Sequence, residues 1–226
     1  MTKKQIDNLT LVVPAKEDTD CLFHVLEELK NFDIEKIIVI PKNDELPKDW
    51  KFEKMQVINQ NNKGYGNALI EGIEKVKTDY FCLFNADGSF KPSELEGMLN
   101  LTNKFDFVFG SRYLKDAKSD DDTIITSIGN YIFSKIGKIF FNVKLSDILY
   151  TFVLCDTKKT RQLNLLSEDF GFCVELPIKI ERKKFTYTDI ASHERKRISG
   201  KKNVNEFIDG FKILTRMFKF FFYKKI

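Results

Sequence analysis

The chain is predicted to be α/β, with helices packed on a mostly parallel central sheet. Uninterrupted apolar runs recur at 9–14, 36–40 and 80–84, each ended by proline or by small polar residues. Segments with helical apolar spacing lie between them, and such strand–helix alternation calls for parallel pairing through right-handed crossovers.

Leu9-Thr-Leu-Val-Val-Pro14 is a β-rich run, followed by a polar turn and then by Leu22 to Leu29 at helical spacing. Lys36-Ile-Ile-Val-Ile-Pro41 repeats the scheme, and Met55 to Ile58 is a shorter strand. Gly64-Tyr-Gly-Asn-Ala-Leu69 opens a helix that leads to Phe81-Cys-Leu-Phe84. That run reads as a strand buried on both faces. Phe105 to Gly110 is a further strand, ending at Ser111-Arg112-Tyr113. Residues 1–113 therefore make a nucleotide-binding half. In the half from 114 to 203, an acidic loop (115–123) precedes a helix whose apolar face carries Ile128, Ile132, Ile136, Ile139 and Phe140. The stretch from 204 to 226 sets Val204, Phe207, Phe211, Leu214, Phe218 and Phe221 on one helical stripe, with Lys212, Arg216 and Lys219 interleaved. No repeat or linker divides the chain, so 1–226 is expected to form one domain.

Composition narrows the class. At 226 residues, 42 % hydrophobic and 31 % charged, the chain has the make-up of a globular protein. A formal charge of +4 is too slight to imply nucleic-acid binding. The four cysteines are scattered without a CxxC pair, as expected of reduced thiols in a cytoplasmic protein. No leader-like or membrane-spanning apolar run is present.

Asp87 is the principal candidate for chemistry. Ligands of α/β sheets bind beyond the carboxyl ends of the strands. A lone carboxylate there suits a divalent cation shared with a ligand's phosphates, with Asn85 or Ser89 reaching the ion directly or through water; a plain turn aspartate is the alternative. Lys63, before Gly64-Tyr-Gly66, stands where backbone amides and a cation can hold a phosphate, or simply where a helix begins. Arg112 at the sheet edge suits bidentate phosphate contacts, against a structural salt bridge. Arg195, Arg197, Lys201 and Lys202 suit a basic flap over a phosphate, against a solvated charge run. His193 alone makes no metal site. The terminal stripe fits a membrane interface as well as it fits a helix packed on the domain or on a dimer partner.

Seven motifs in collinear order then resemble the family 2 glycosyltransferases of GT-A fold, most closely the dolichol-phosphate mannosyltransferase (polyprenyl-phosphate glycosyltransferase) branch. Val12-Val-Pro-Ala-Lys-Glu17 is similar to the family's IPxxNE, Asn62 to Leu69 to its GKGxAL, and Asn85-Ala-Asp87 to its DAD. Gly110-Ser-Arg-Tyr113 equals its GSRY, while Ser127-Ile-Gly-Asn130 with Asp147 resembles its GN helix and DxxSGF. Gly171 to Glu175 and Arg197 to Lys201 resemble GFxxE and RxxGxSK. The chain departs from the family pattern at four places: Lys202 stands where the family has the serine before its final lysine, and three further motifs change. Pro41-Lys-Asn-Asp44 replaces DDGS, leaving Asp44 as a partial substitute; Asn85 replaces the first Asp of DAD; and Tyr150-Thr-Phe-Val153 replaces SGFR.

The resemblance implies a GT-A-like, Rossmann-type α/β/α sandwich that moves a sugar from a nucleotide-sugar, with inversion and with Mg²⁺ or Mn²⁺, to a polyprenyl phosphate or a glycan acceptor. It places Pro14, Ala15 and Glu17 at the nucleoside, with Asp44, Lys63, Asn85, Ala86 and Asp87 along the donor. Asp169 and Glu175 are the candidate bases for a hydroxyl acceptor; a lipid phosphate needs none, being already ionised. The expected location is cytoplasmic, peripheral at the inner face of the membrane. A nucleotide- or partner-binding member without catalysis is the alternative.

Overall fold

The computed structural model describes residues 4–16, 19–198 and 206–223. Its strands are β1 (Lys4–Pro14), β2 (Phe32–Ile40), β3 (Met55–Asn59), β4 (Tyr80–Leu83), β5 (Phe107–Ser111), β6 (Lys118–Ser119), β7 (Val153–Asp156), β8 (Tyr187–Ala191) and β9 (His193–Glu194). The helices are α1 (Thr19–Leu29), α2 (Tyr65–Lys75), α3 (Leu95–Leu99), α4 (Ile124–Phe141), α5 (Thr157–Arg161), α6 (Phe172–Lys183) and α7 (Glu206–Phe222). Seven strands form the central sheet in the order β3-β2-β1-β4-β7-β5-β8, and β6 pairs with β9 in a small separate ribbon. Within the large sheet only β7 runs antiparallel to its neighbours.

Alternate side chains along the strands enter two apolar layers. Val12, Ile37, Val39, Phe81 and Leu83 join residues of α2, α6 and α7 on one face. Leu11, Val13, Ile38, Cys82 and Phe84 join residues of α1 and α3 on the other. That period-2 division makes the three-layer sandwich and explains why these runs contain almost no polar residue. Helix α2 lies close on the sheet because Gly72 has no side chain: a Cβ there would stand 2.5 Å from Val12 Cγ1.

Three elements differ from the sequence expectation. β7, only four residues long, inserts between β4 and β5. β8 lies in a stretch for which no strand is expected. Most of the apolar stripe of α4 points outward: Ile128, Ile132, Ile139 and Phe140 are exposed, whereas Ile136 packs against the core and Asn130 and Gly137 are buried. Gly137 permits this by close approach, since its Cβ would come within 2.6 Å of Ile148 Cδ1.

Candidate functional site

The C-terminal ends of β1, β2, β3 and β4 converge, and most of the candidate residues lie there. β4 is anchored from behind by Phe84, whose ring meets Phe90 and Phe152 edge-on at 5.7 and 5.8 Å. Beyond it, Gly88 takes φ 81°, a left-handed conformation that glycine adopts without strain. This turn folds Ser89 back so that its N–H and its hydroxyl both donate to Asp87 Oδ1, at 2.9 and 2.6 Å. One carboxylate oxygen is thus fixed by the protein, and Oδ2 takes no part in those two bonds.

The segment 195–198 crosses directly over this turn. Arg195 N donates to Ser89 O at 2.8 Å and Ile198 N to Asp87 O at 2.9 Å. The Ile198 side chain fills the space over Gly88, where a Cβ would meet Ile198 Cδ1 at 2.5 Å. Arg197 is held by Asp121 through Nε and Nη2, at 3.1 and 2.7 Å. Burial opposes its charge, but the Asp121 hydrogen bond and the nearby Asp87 and Glu194 carboxylates outweigh it and raise its pKa. Arg197 is therefore a fixed cation within electrostatic reach of Asp87. Arg195 serves differently: it grips Glu28 of α1 bidentately at 2.9 and 2.8 Å and Phe90 O at 2.6 Å. That ties the basic segment down and leaves Arg195 an anchor of the flap. Glu17, Lys201 and Lys202 lie outside the described residues.

Arg112 is enclosed. Its Nε and Nη2 donate to Asp147 at 2.7 and 3.0 Å, and Nη1 lies 3.3 Å from Glu194 and 3.7 Å from Asp122. The guanidinium also lies over the Tyr150 ring, 4.7 Å from its centroid, and its side chain is 12 % exposed. Burial works against the charge, yet Asp147 and Glu194 raise the pKa well above its ordinary value. The expected phosphate contact thus gives way, in this arrangement, to a salt-bridge hub joining the β5 end to the 147 loop and β9. His193 is likewise a local strut, between Lys91 Nζ at 2.7 Å and Asp120 at 2.6 Å.

The other wall of the cleft comes from α2 and the loop before α6. Tyr65, which the sequence reading passed over inside Gly64-Tyr-Gly66, stacks on Phe170 with centroids 4.9 Å apart and reaches Thr151 Oγ1 at 3.0 Å. Burial, Cys173 and the Asp87 carboxylate all push its hydroxyl pKa up. The backbone of 167–169 abuts the start of α2: Asn67 N donates to Glu168 O at 3.2 Å. A Cβ on Gly66 would fall 1.9 Å from Ser167 O. Because that obstacle is backbone, Gly66→Ala is expected to lower stability by about 1–3 kcal/mol or more, read as a reduced urea midpoint at unchanged slope. Lys63 is exposed, and its carbonyl accepts from Asn67 Nδ2 at 2.8 Å.

The two candidate bases separate. Asp169 is 40 % exposed at this wall, with Oδ1 accepting from Gly171 N at 2.9 Å and lying 4.0 Å from Arg216. Glu175 is buried one turn inside α6, accepting from Leu166 N at 2.9 Å and Ser167 N at 2.6 Å. It also pairs with Lys179 at 2.7 Å, the two side chains being 1 % and 6 % exposed. Glu175 therefore holds the 164–167 loop rather than facing the cleft. On the donor side, Pro14 and Ala15 end β1, with Ala15 N bonded to Val39 O at 2.8 Å. The 41–44 loop is stapled by Asn59 Nδ2, which donates to Asp44 O at 2.8 Å. Asn85 is half-buried and Ala86 buried beside Asp87.

Among the described residues no group of three or more His, Cys, Asp or Glu is placed to hold a metal ion. The donor set at Asp87 is a single oriented carboxylate with a serine hydroxyl alongside. It fits a hard, oxygen-preferring ion only where a ligand's phosphates complete the coordination.

Comparison with known proteins bears on this geometry. The family model "Glycosyl transferase family 2" matches residues 10–163. The low-salt glycan biosynthesis hexosyltransferase Agl6 of Haloferax volcanii is 23 % identical over 220 residues, 90 % of this chain and 51 % of that protein. An uncharacterized glycosyltransferase of Rickettsia felis is 31 % identical over 70 residues, 29 % of this chain and 12 % of its own length. The chain thus spans about half the length of the first relative and far less of the second. Glucosyl-3-phosphoglycerate synthase of Mycobacterium tuberculosis, solved with Mn²⁺, UDP and glucosyl-3-phosphoglycerate, superposes with TM-score 0.69 at 10 % identity over 94 % of this chain and 79 % of that one. Mannosyl-3-phosphoglycerate synthase of Rubrobacter xylanophilus gives 0.66 at 13 % identity, over 93 % and 72 %. The three-layer architecture is that of GT-A structures.

Proposed function

The chain belongs to glycosyl transferase family 2, and from that membership we propose that it transfers a hexosyl group from a nucleotide-sugar, with inversion, to a polyprenyl phosphate or a glycan-type acceptor. The observation that carries the reading is Asp87, oriented by Ser89 at the end of β4, with Arg197 on the segment whose Ile198 N–H bonds the Asp87 carbonyl. The names of the relatives support the donor and the hexosyl group: one acts in glycan biosynthesis, and the other was crystallised with UDP.

In the reaction the acceptor oxygen bonds to the anomeric carbon while the carbon–oxygen bond to the diphosphate breaks, its electron pair leaving with the diphosphate. Attack from the face opposite the leaving group inverts that centre. Asp87, with Ser89 beside it, would hold Mg²⁺ or Mn²⁺, which supplies Lewis-acid stabilisation of the departing diphosphate. Arg197 adds a positive charge where negative charge develops, in a setting that needs no reorganisation. A hydroxyl acceptor gives its proton to Asp169, the exposed carboxylate of the opposite wall; a phosphate acceptor has none to give. Pro14, Ala15 and the Asn59-stapled loop at Asp44 line the nucleoside end.

A nucleotide-binding member without catalysis is the second reading. It is favoured by the 41–44 loop, where Asn59 holds the Asp44 carbonyl and no paired aspartates stand. The test is a panel of nucleotide-sugars and nucleoside diphosphates scored by heat unfolding with and without Mn²⁺, followed by assay of sugar release. A ligand at a hundred times its Kd stabilises by about 2.7 kcal/mol, a rise in Tm of roughly 5–10 °C for a chain of this size. A metal-dependent rise for one base together with sugar release is expected. A rise without release favours the second reading, and no rise with any nucleotide defeats both.

A further inference from the structure

Twelve of the eighteen exposed large apolar side chains among the described residues lie on α4 and α7. The two helices pack side by side in the same direction. A Cβ on Gly210 would meet the Phe133 ring at 4.0 Å near one end, and Phe221 meets Phe140 and Phe141 edge-on, with centroids 5.6 and 6.4 Å apart, near the other. Helix α7 is already docked on the domain through Ile213, Met217 and Phe220, which are buried. Its second stripe, Phe211, Phe218 and Phe222, recurs at seven and eleven residues and faces out, with Phe211 72 % exposed. On α4 the outward row runs through Ile124, Ile128, Ile132 and Ile139, and Ile124 is 81 % exposed. A monomer rarely leaves so continuous an apolar face bare.

The charge pattern says what covers it. α4 contains no acidic residue and exposes Lys135 and Lys138. α7 exposes Lys212 and Lys219, its Asp209 being buried and paired with Lys212 at 3.1 Å. Two further lysines follow in the sequence at 224 and 225. A second copy related by a two-fold axis would bring these lysines against one another, with Glu206 at the start of α7 the one acid on either helix besides the paired Asp209. An anionic lipid surface supplies both the apolar depth and the counter-charge.

We propose that α4 and α7 together form a platform that seats the protein on an anionic lipid surface. This deepens the acceptor half of the reading above, because α7 also reaches the cleft: Arg216 stands 4.0 Å from Asp169. An acceptor carried by lipid would arrive at that corner. The docking itself requires no sugar transfer, so the two ideas fail separately.

The test is flotation with phosphatidylcholine vesicles, with and without phosphatidylglycerol, at low and high salt. The wild-type chain is expected to bind the anionic vesicles at least about ten-fold more strongly than the neutral ones, and to be released by salt. Ile128→Ser with Ile132→Ser on α4, and Phe211→Ser with Phe218→Ser on α7, should each weaken binding by about ten-fold or more. These exposed positions leave the core intact, checked by an unchanged Tm, and Asp87→Ala should bind vesicles as wild type does. Absence of vesicle binding, equal binding to both lipids, or a dimer dissociated by the same substitutions overturns the proposal. An α4 pair without effect overturns the two-helix platform.

Discussion

Replacing Asp87 by alanine is expected to lower kcat by at least about 10²-fold while leaving the fold in place. The two halves of that result have separate physical causes. Among the described residues the carboxylate accepts from Ser89 within its own turn, and it is half-buried. Hydrogen bonds to a charged group are worth about 1.5–3 kcal/mol each, so losing these two is expected to lower stability without unfolding the chain. In the proposed reaction the same group would hold the divalent ion that stabilises the leaving diphosphate, and removing one preorganised electrostatic contribution of that size costs roughly 10²–10³ in rate. Asp87→Asn sharpens the test, since it keeps the shape and one acceptor oxygen but removes the charge. Turnover and the Mn²⁺-dependent rise in Tm should disappear together in both variants. A variant that still binds Mn²⁺-nucleotide and turns over at the wild-type rate refutes the role of Asp87.

Removing the Glu175 charge is expected to act in the opposite sense, on stability more than on chemistry. Glu175→Gln leaves Lys179 charged, 6 % exposed and without a counter-charge, held by the Asn164 carbonyl, and it weakens the hold on Leu166 and Ser167. Breaking a buried pair from one side costs about 3–5 kcal/mol, visible as a large fall in the urea midpoint. Changing Lys179 to Met in the same chain should restore most of that loss, because no buried charge then stands alone. Turnover per folded molecule should stay near wild type, whereas Asp169→Asn should lower kcat for a hydroxyl acceptor without altering stability. A stable Glu175→Gln protein that has lost only kcat would return the role of base to Glu175.

These two carboxylates show where a linear reading stops. Both stand near the GFxxE motif, and the resemblance assigns the same role to each. Only the chain path separates them: Asp169 lies before the first turn of α6 at the cleft wall, and Glu175 lies on the inward face of that helix. Arg112 follows the same logic. The sequence places a guanidinium at a ligand edge, but Asp147, Asp122 and Glu194 come from three distant segments, and their arrival turns it into a structural hub.

Local physics written along the chain determined β1 to β5, the helices that follow β1 and β3, and the turn that presents Asp87. Each is a contiguous apolar run or helical period, bounded by proline, glycine or a small polar residue. Tertiary structure alone decided the insertion of the four-residue β7, whose antiparallel place between β4 and β5 rests on hydrogen bonds to both neighbours. It also decided which side of α4 meets the core. An apolar period shows that a helix has two unlike faces, but the neighbours determine which face they cover. Here Gly137 allows Ile148 to approach on the opposite side, and most of the isoleucine stripe is left facing outward.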